Sequence, residues 1–177
     1  TRPLFGPSVH SLQGQRVVLT PGRGDAWLAW LKAMLHARGL EIMETTPEEH
    51  DRAMSVVQVL VHFATEVMGK TLAALDVPID RTLMFTSPIY LIELLLTARH
   101  FNQSPDLYAA IQMLNPDTSK VTDTFVRAAD ELRQVTGAQD RDVFRETFEA
   151  VRRYFGEFTE KAVEQSDFLV DRVVERT

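Results

Sequence analysis

Thr46-Pro47-Glu48-Glu49-His50-Asp51-Arg52-Ala53-Met54-Ser55-Val56-Val57-Gln58-Val59-Leu60-Val61-His62-Phe63-Ala64-Thr65-Glu66-Val67 is the stretch that decides the fold. It opens on a capping-box pattern: Thr46 at the N-cap, Pro47 at the first helical position and Glu49 three residues after the cap. From residue 54 to 67 it is nearly continuously apolar, broken by Ser55, Gln58, His62 and a few threonine or glutamate positions. That pattern predicts one long helix running to about Leu75 and surrounded by protein.

Toward the C-terminus the same punctuation recurs. Ser87-Pro88 and Ser104-Pro105 each join a serine N-cap to a proline, so helices should start there and run to about Phe101 and Leu114. Asn115-Pro116 opens another, ending near Gly137, and residues 140–174 read as an amphipathic helix or a pair bent at Gly156. Toward the N-terminus, residues 16–20 and 40–45 read as short strands flanking a helix over 25–38 that Gly39 ends. The fold class is therefore mainly α with one or two short strands near the N-terminus, and residues 1–177 make one domain. The opening Arg2-Pro3-Leu4-Phe5-Gly6-Pro7, with no initiator methionine, reads as the continuation of something upstream.

Composition narrows the functions. The chain has 177 residues, 45% of them hydrophobic, which is enough for a core without staples. It has no cysteine, so disulfides and thiolate metal sites are excluded and a cytoplasmic setting is the default. A net charge of -6 argues against nucleic acid as a partner. No apolar run reaches the roughly 18 to 20 residues a membrane helix needs, since Glu93 interrupts the longest, 89–96. All five histidines lie at or before position 100, which puts titratable chemistry in the first part of the chain.

A dinucleotide fingerprint fails: Gly22 and Gly24 follow a strand, but Trp27 occupies the third position and would block the close helix packing that glycine permits. His50 and His62 are about 120° apart around one helix and cannot share a metal from it. His50, beside Glu49 and Asp51, belongs to the surface or the cap. Gln58 and His62, four residues apart, share a face as either a satisfied buried pair or part of a site. Arg99, late on the most apolar helix, needs an anion if buried: a ligand carboxylate, or Glu93 reached across another element. The aromatics Phe144, Phe148, Tyr154, Phe155 and Phe158 are read as core.

Several segments together resemble prephenate dehydrogenase, most closely the branch fused to chorismate mutase. They are Arg2-Pro3-Leu4-Phe5-Gly6-Pro7, Glu49-His50-Asp51 through Gln58 and His62-Phe63-Ala64-Thr65, Ser87-Pro88-Ile89-Tyr90 through Ala98-Arg99-His100-Phe101, Ser104-Pro105-Asp106-Leu107-Tyr108, and Tyr154-Phe155-Gly156. The resemblance implies the helical fold of 6-phosphogluconate dehydrogenase-like C-terminal domains, a homodimer interlocked through these helices, and an NAD(P)-binding Rossmann domain upstream. It implies NAD or NADP as cofactor, bound mainly by that upstream domain, and a small anionic cyclohexadienyl substrate. By the same resemblance Arg99 binds the pyruvyl carboxylate, His62 lies beside it, and Tyr108 belongs with the substrate. Gln58 joins them from the helical-face argument. The family's H-P-M-F-G motif carries a catalytic histidine where this chain has Arg2, which donates but cannot act as a base. The first reading is thus oxidative decarboxylation of prephenate. The alternatives are a 4-amino-4-deoxyprephenate dehydrogenase, or a degenerate dimerising or ligand-sensing module.

Overall fold

A computed structural model describes residues 1–6 and 9–175; Pro7 of the opening turn lies outside them. The chain begins with a small sheet. Strand β1 (Arg2–Pro3) pairs antiparallel with β2 (Arg16–Leu19), and β2 pairs parallel with β3 (Glu41–Glu44), with Arg16 opposite Glu41 and Leu19 opposite Glu44. Helix α1 (Asp25–His36) makes the crossover between the parallel strands. Val17, Leu19 and Leu40 are buried there, packed against Phe5, Leu28, Leu31, Leu35 and Ile42. Sequence reading found β2 and β3. It missed β1, whose two residues carry no periodicity and are held by their neighbour, with Leu4 N–H donating to Arg16 C=O at 3.0 Å.

The rest is helical: α2 (Pro47–Met54), a π-helical segment (Ser55–Leu60), α3 (Val61–Leu75), α4 (Ile79–Leu83), α5 (Pro88–Phe101), α6 (Pro105–Met113), α7 (Thr118–Gly137), α8 (Arg141–Phe155) and α9 (Phe158–Val174). Each expected cap forms. Thr46, Ser87 and Ser104 hydroxyls accept from the backbone N–H groups of Glu49, Tyr90 and Leu107 at 3.2, 3.2 and 3.4 Å. The helix after Asn115 starts at Thr118, because Asn115 Oδ1 takes the Asp117 N–H at 2.9 Å and holds the preceding residues as a turn. The C-terminal pair breaks at Gly156, whose φ of +52° suits glycine.

Three expectations need correction. The long helix is not one regular α-helix: six residues widen to π geometry, and Ser55 Oγ donates back to Arg52 C=O at 2.8 Å at the start of the widened turn. Nor does this chain by itself surround it. Met54 and Val59 are buried, but Val56, Val57 and Val61 are 54%, 57% and 54% exposed. The aromatics of α8 and α9 are not core, with Phe148, Tyr154 and Phe158 all more than half exposed. Apolar periodicity shows that a face is to be covered, not that the same chain covers it.

Candidate functional site

Helices α3, α5 and α6 and the loop at Gly6 enclose a cavity of about 630 Å³, a size suited to a small molecule. His62, Glu93, Thr97, Arg99, His100 and Tyr108 border it. One ring comes from each helix. His62 and Tyr108 meet edge to face at 4.6 Å between centroids, His100 and Tyr108 stand at 4.2 Å, and His62 and His100 at 5.3 Å. Behind this wall Glu66 Oε1 lies 3.0 Å from His100 Nε2 and accepts from Gln112 Nε2 at 2.7 Å.

His62 is half-buried, and its Nδ1 is sealed with no hydrogen-bond partner among the described residues. Burial is the first cause that lowers its pKa below the ordinary imidazole value, since the charged form is the one desolvated. His100 and Arg2 lower it further by like charge, while the Glu66 carboxylate opposes them. His62 is therefore neutral at pH 7. A sealed lone pair costs less than a sealed N–H, which favours the tautomer with its proton on Nε2 for this residue of the cavity lining. It can donate one hydrogen bond to an oxygen there.

Of the residues expected from the sequence, the fold thus brings His62, Arg99 and Tyr108 to one cavity. Arg2 and Gln58 lie apart. Arg2 Nη2 donates to Gln58 Oε1 at 2.5 Å, and the two border a second, smaller space of about 260 Å³ with Asp51, Met54, Leu114 and Asn115. Gln58 therefore does not share His62's cavity. Its amide is turned to Arg2, and the widened turn alters the stagger that an α-helix would give. Arg99 is exposed at the cavity rim, not buried in its helix, so the burial argument for an anion lapses; Glu93 borders the same cavity. His50 is more enclosed than a surface cap residue. Its side chain is 13% exposed, with Nδ1 2.9 Å from Asp51 Oδ1 and Nε2 buried without a partner among the described residues.

Sequence reading missed His100, Glu66 and Gln112. The available signal was a glutamate at i+4 from His62 within an apolar run, which predicts something polar for it to meet.

A family model described as prephenate dehydrogenase, dimerization domain, matches residues 46–150. The chain belongs to this family. It is 35% identical over 173 residues to a probable arogenate/prephenate dehydrogenase of Methanocaldococcus jannaschii, covering 96% of this chain and 39% of that protein. It is 32% identical over 170 residues to the T-protein of Haemophilus influenzae, covering 96% and 45%. The chain thus spans less than half the length of these curated relatives. A crystal structure of prephenate dehydrogenase from A. aeolicus, in complex with hydroxyphenyl propionate and NAD+, superposes with a TM-score of 0.59 at 23% identity, over 86% of this chain and 50% of that one. The mainly α fold read from the sequence is that of this family. Among the described residues no helix is long and apolar enough to cross a membrane.

Proposed function

We propose that this chain is the substrate-binding and dimerising part of a prephenate dehydrogenase-type oxidoreductase, in a cytoplasmic enzyme that converts prephenate to 4-hydroxyphenylpyruvate for tyrosine biosynthesis. The observation that carries this reading is the meeting of Arg99, His62 and Tyr108 at one cavity, in a chain matched to the family over residues 46–150. A guanidinium offers two parallel N–H groups to a carboxylate, so Arg99 takes the pyruvyl carboxylate. His62 donates through Nε2 to a second oxygen of the same side chain, and Tyr108 bounds the ring. Arg2 stays cationic and cannot take the C4 hydroxyl proton.

The reaction needs a nicotinamide cofactor to accept the hydride. The glycine turn of this chain does not fit one, because Trp27 takes the third position of the Gly22-x-Gly24-x-x-Gly pattern that the pyrophosphate turn needs. NAD or NADP is therefore assigned to a Rossmann domain outside these residues, consistent with relatives more than twice as long. The exposed valines of the π segment and α3 are assigned to the homodimer surface.

The test is turnover by the complete protein with prephenate and either nicotinamide, followed as reduced cofactor, with Arg99→Gln alongside. Turnover that Arg99→Gln weakens through KM supports the reading. A complete protein that folds, dimerises and does not oxidise prephenate refutes it.

A further inference from the structure

The layer behind the ring wall is not used by the substrate contacts proposed above. Helix α3 supplies His62 to the wall and Glu66 to the layer behind, and α6 supplies Tyr108 and Gln112. Within each helix the two residues are four apart, so they share a face and lie one turn from each other. His100 of α5 belongs to both layers: its ring packs on Tyr108 and His62, while its Nε2 reaches Glu66. An ionised carboxylate only accepts, so Glu66 fixes Nε2 as a donor and also fixes which end of the Gln112 amide faces it.

We propose that Glu66 is a positioning residue of this cavity: by holding His100 through Nε2 it sets the ring wall against which an anionic cyclic ligand is seated. The proposal rests on the substrate reading given above. An imidazole has a broad, two-fold χ2 preference, and packing against Tyr108 alone leaves both ring faces available. The His100 side chain is 9% exposed, so its orientation must come from a protein partner, and Glu66 with Gln112 behind it supplies one from each neighbouring helix. Glu66 also acts on His62 by charge. Among the described residues Glu66 on its own helix, His100 on α5 and, from β1, the charge of Arg2 act on that imidazole, Tyr108 of α6 packs on it, and Glu93 and Arg99 of α5 border the same cavity. Glu66 is the one that favours the protonated form.

The experiment uses the complete protein. Glu66→Gln keeps the bulk and both acceptor contacts and removes the charge, while His100→Phe keeps a ring and removes the nitrogen. Loss of charge assistance in the two hydrogen bonds should raise KM for prephenate about fivefold with kcat little changed. In the His100→Phe background Glu66→Gln should add nothing to KM, since it acts through that imidazole. Without ligand, the His62 imidazole followed by NMR should titrate at lower pH in Glu66→Gln than in the unmodified protein. Gln112→Met, which releases Glu66 on one side, should raise KM in the same direction by less. An unchanged KM and His62 titration in Glu66→Gln, or additive effects with His100→Phe, would overturn the proposal. If Arg99→Gln also leaves prephenate kinetics untouched, it is the substrate reading that has failed, and the ligand-free titration of His62 still decides the role of Glu66.

Discussion

Two valines of the π segment sit two residues apart in opposite environments: Val59 is fully buried and Val57 is 57% exposed. Shortening each to alanine separates what one chain covers from what a second copy covers. At Val59 the change removes two buried methyl groups, about 0.8 kcal/mol each in transfer alone. The void adds to this where the surrounding helices cannot close on it. The better helix propensity of alanine offsets roughly 0.5 kcal/mol. The net cost is about 2 kcal/mol, or about 4–8 °C in melting temperature for a chain of this size. At Val57 the same change removes largely solvated methyls, and the folded protomer should lose less than about 0.5 kcal/mol. On the proposed dimer the Val57 methyls become covered, and losing them should weaken assembly by up to about tenfold per protomer. Urea unfolding and sedimentation across a dilution series read the two effects separately. If Val57→Ala unfolds the monomer as readily as Val59→Ala, the exposed face is covered within the chain. If it leaves assembly untouched, that face is not the dimer surface.

Leu19→Ala, at 1% exposure in the centre of the small sheet, should cost about 3 kcal/mol in chemical unfolding; a loss below 1 kcal/mol would mean this sheet adds little to the fold. Thr46→Ala removes the acceptor for the Glu49 N–H and should cost about 1 kcal/mol, with Thr46→Asn restoring most of it. The pKa of His62 is lowered in the folded protein from 6.5, so the stability tied to its neutral form is present above pH 6.5 and falls away as pH drops from there toward the lowered value. His62→Gln should flatten that part of the stability–pH curve, and an unchanged slope would put the acid sensitivity elsewhere. In the complete enzyme Arg99→Gln should raise KM for prephenate by a factor equivalent to about 2 kcal/mol with kcat retained; normal binding with easier unfolding would make Arg99 structural.

Helix starts were legible because serine or threonine followed by proline states a backbone condition that only a few residues satisfy, and all three such caps formed at the expected positions. The π segment was not, because a residue inserted into a turn leaves the apolar character of 54–67 unchanged and shows only in hydrogen bonds. The pairing of His62 with Gln58 failed for that reason and because a distant partner, Arg2, took the amide across 56 positions. The ring wall was half legible. His62, Arg99 and Tyr108 stood in recognisable segments, whereas Glu66 meets His100 and Gln112 over separations of 34 and 46 residues, which no local pattern encodes. The aromatics of α8 and α9 were misplaced because periodicity shows that a face is to be covered, not what covers it.

Arg2 is where family pattern and chemistry part, and the structure gives that departure a local logic. In the family pattern the position holds a base, yet here a permanent cation is anchored to Gln58 and lies close enough to His62 to lower its pKa. Arg2 thereby helps to keep His62 neutral, and a neutral imidazole with Nδ1 sealed is a donor at Nε2. On the proposed reading, Arg2 and Arg99 supply positive potential and His62 a fixed dipole, an arrangement that holds an anion and takes no proton from it. A C4 hydroxyl must then lose its proton to water or to a group outside these residues. Hydride loss from the ring and deprotonation of the hydroxyl are separable demands, and on the proposed reading the described residues are assigned to neither: their part is to hold the carboxylate end of the molecule while both occur at the other end.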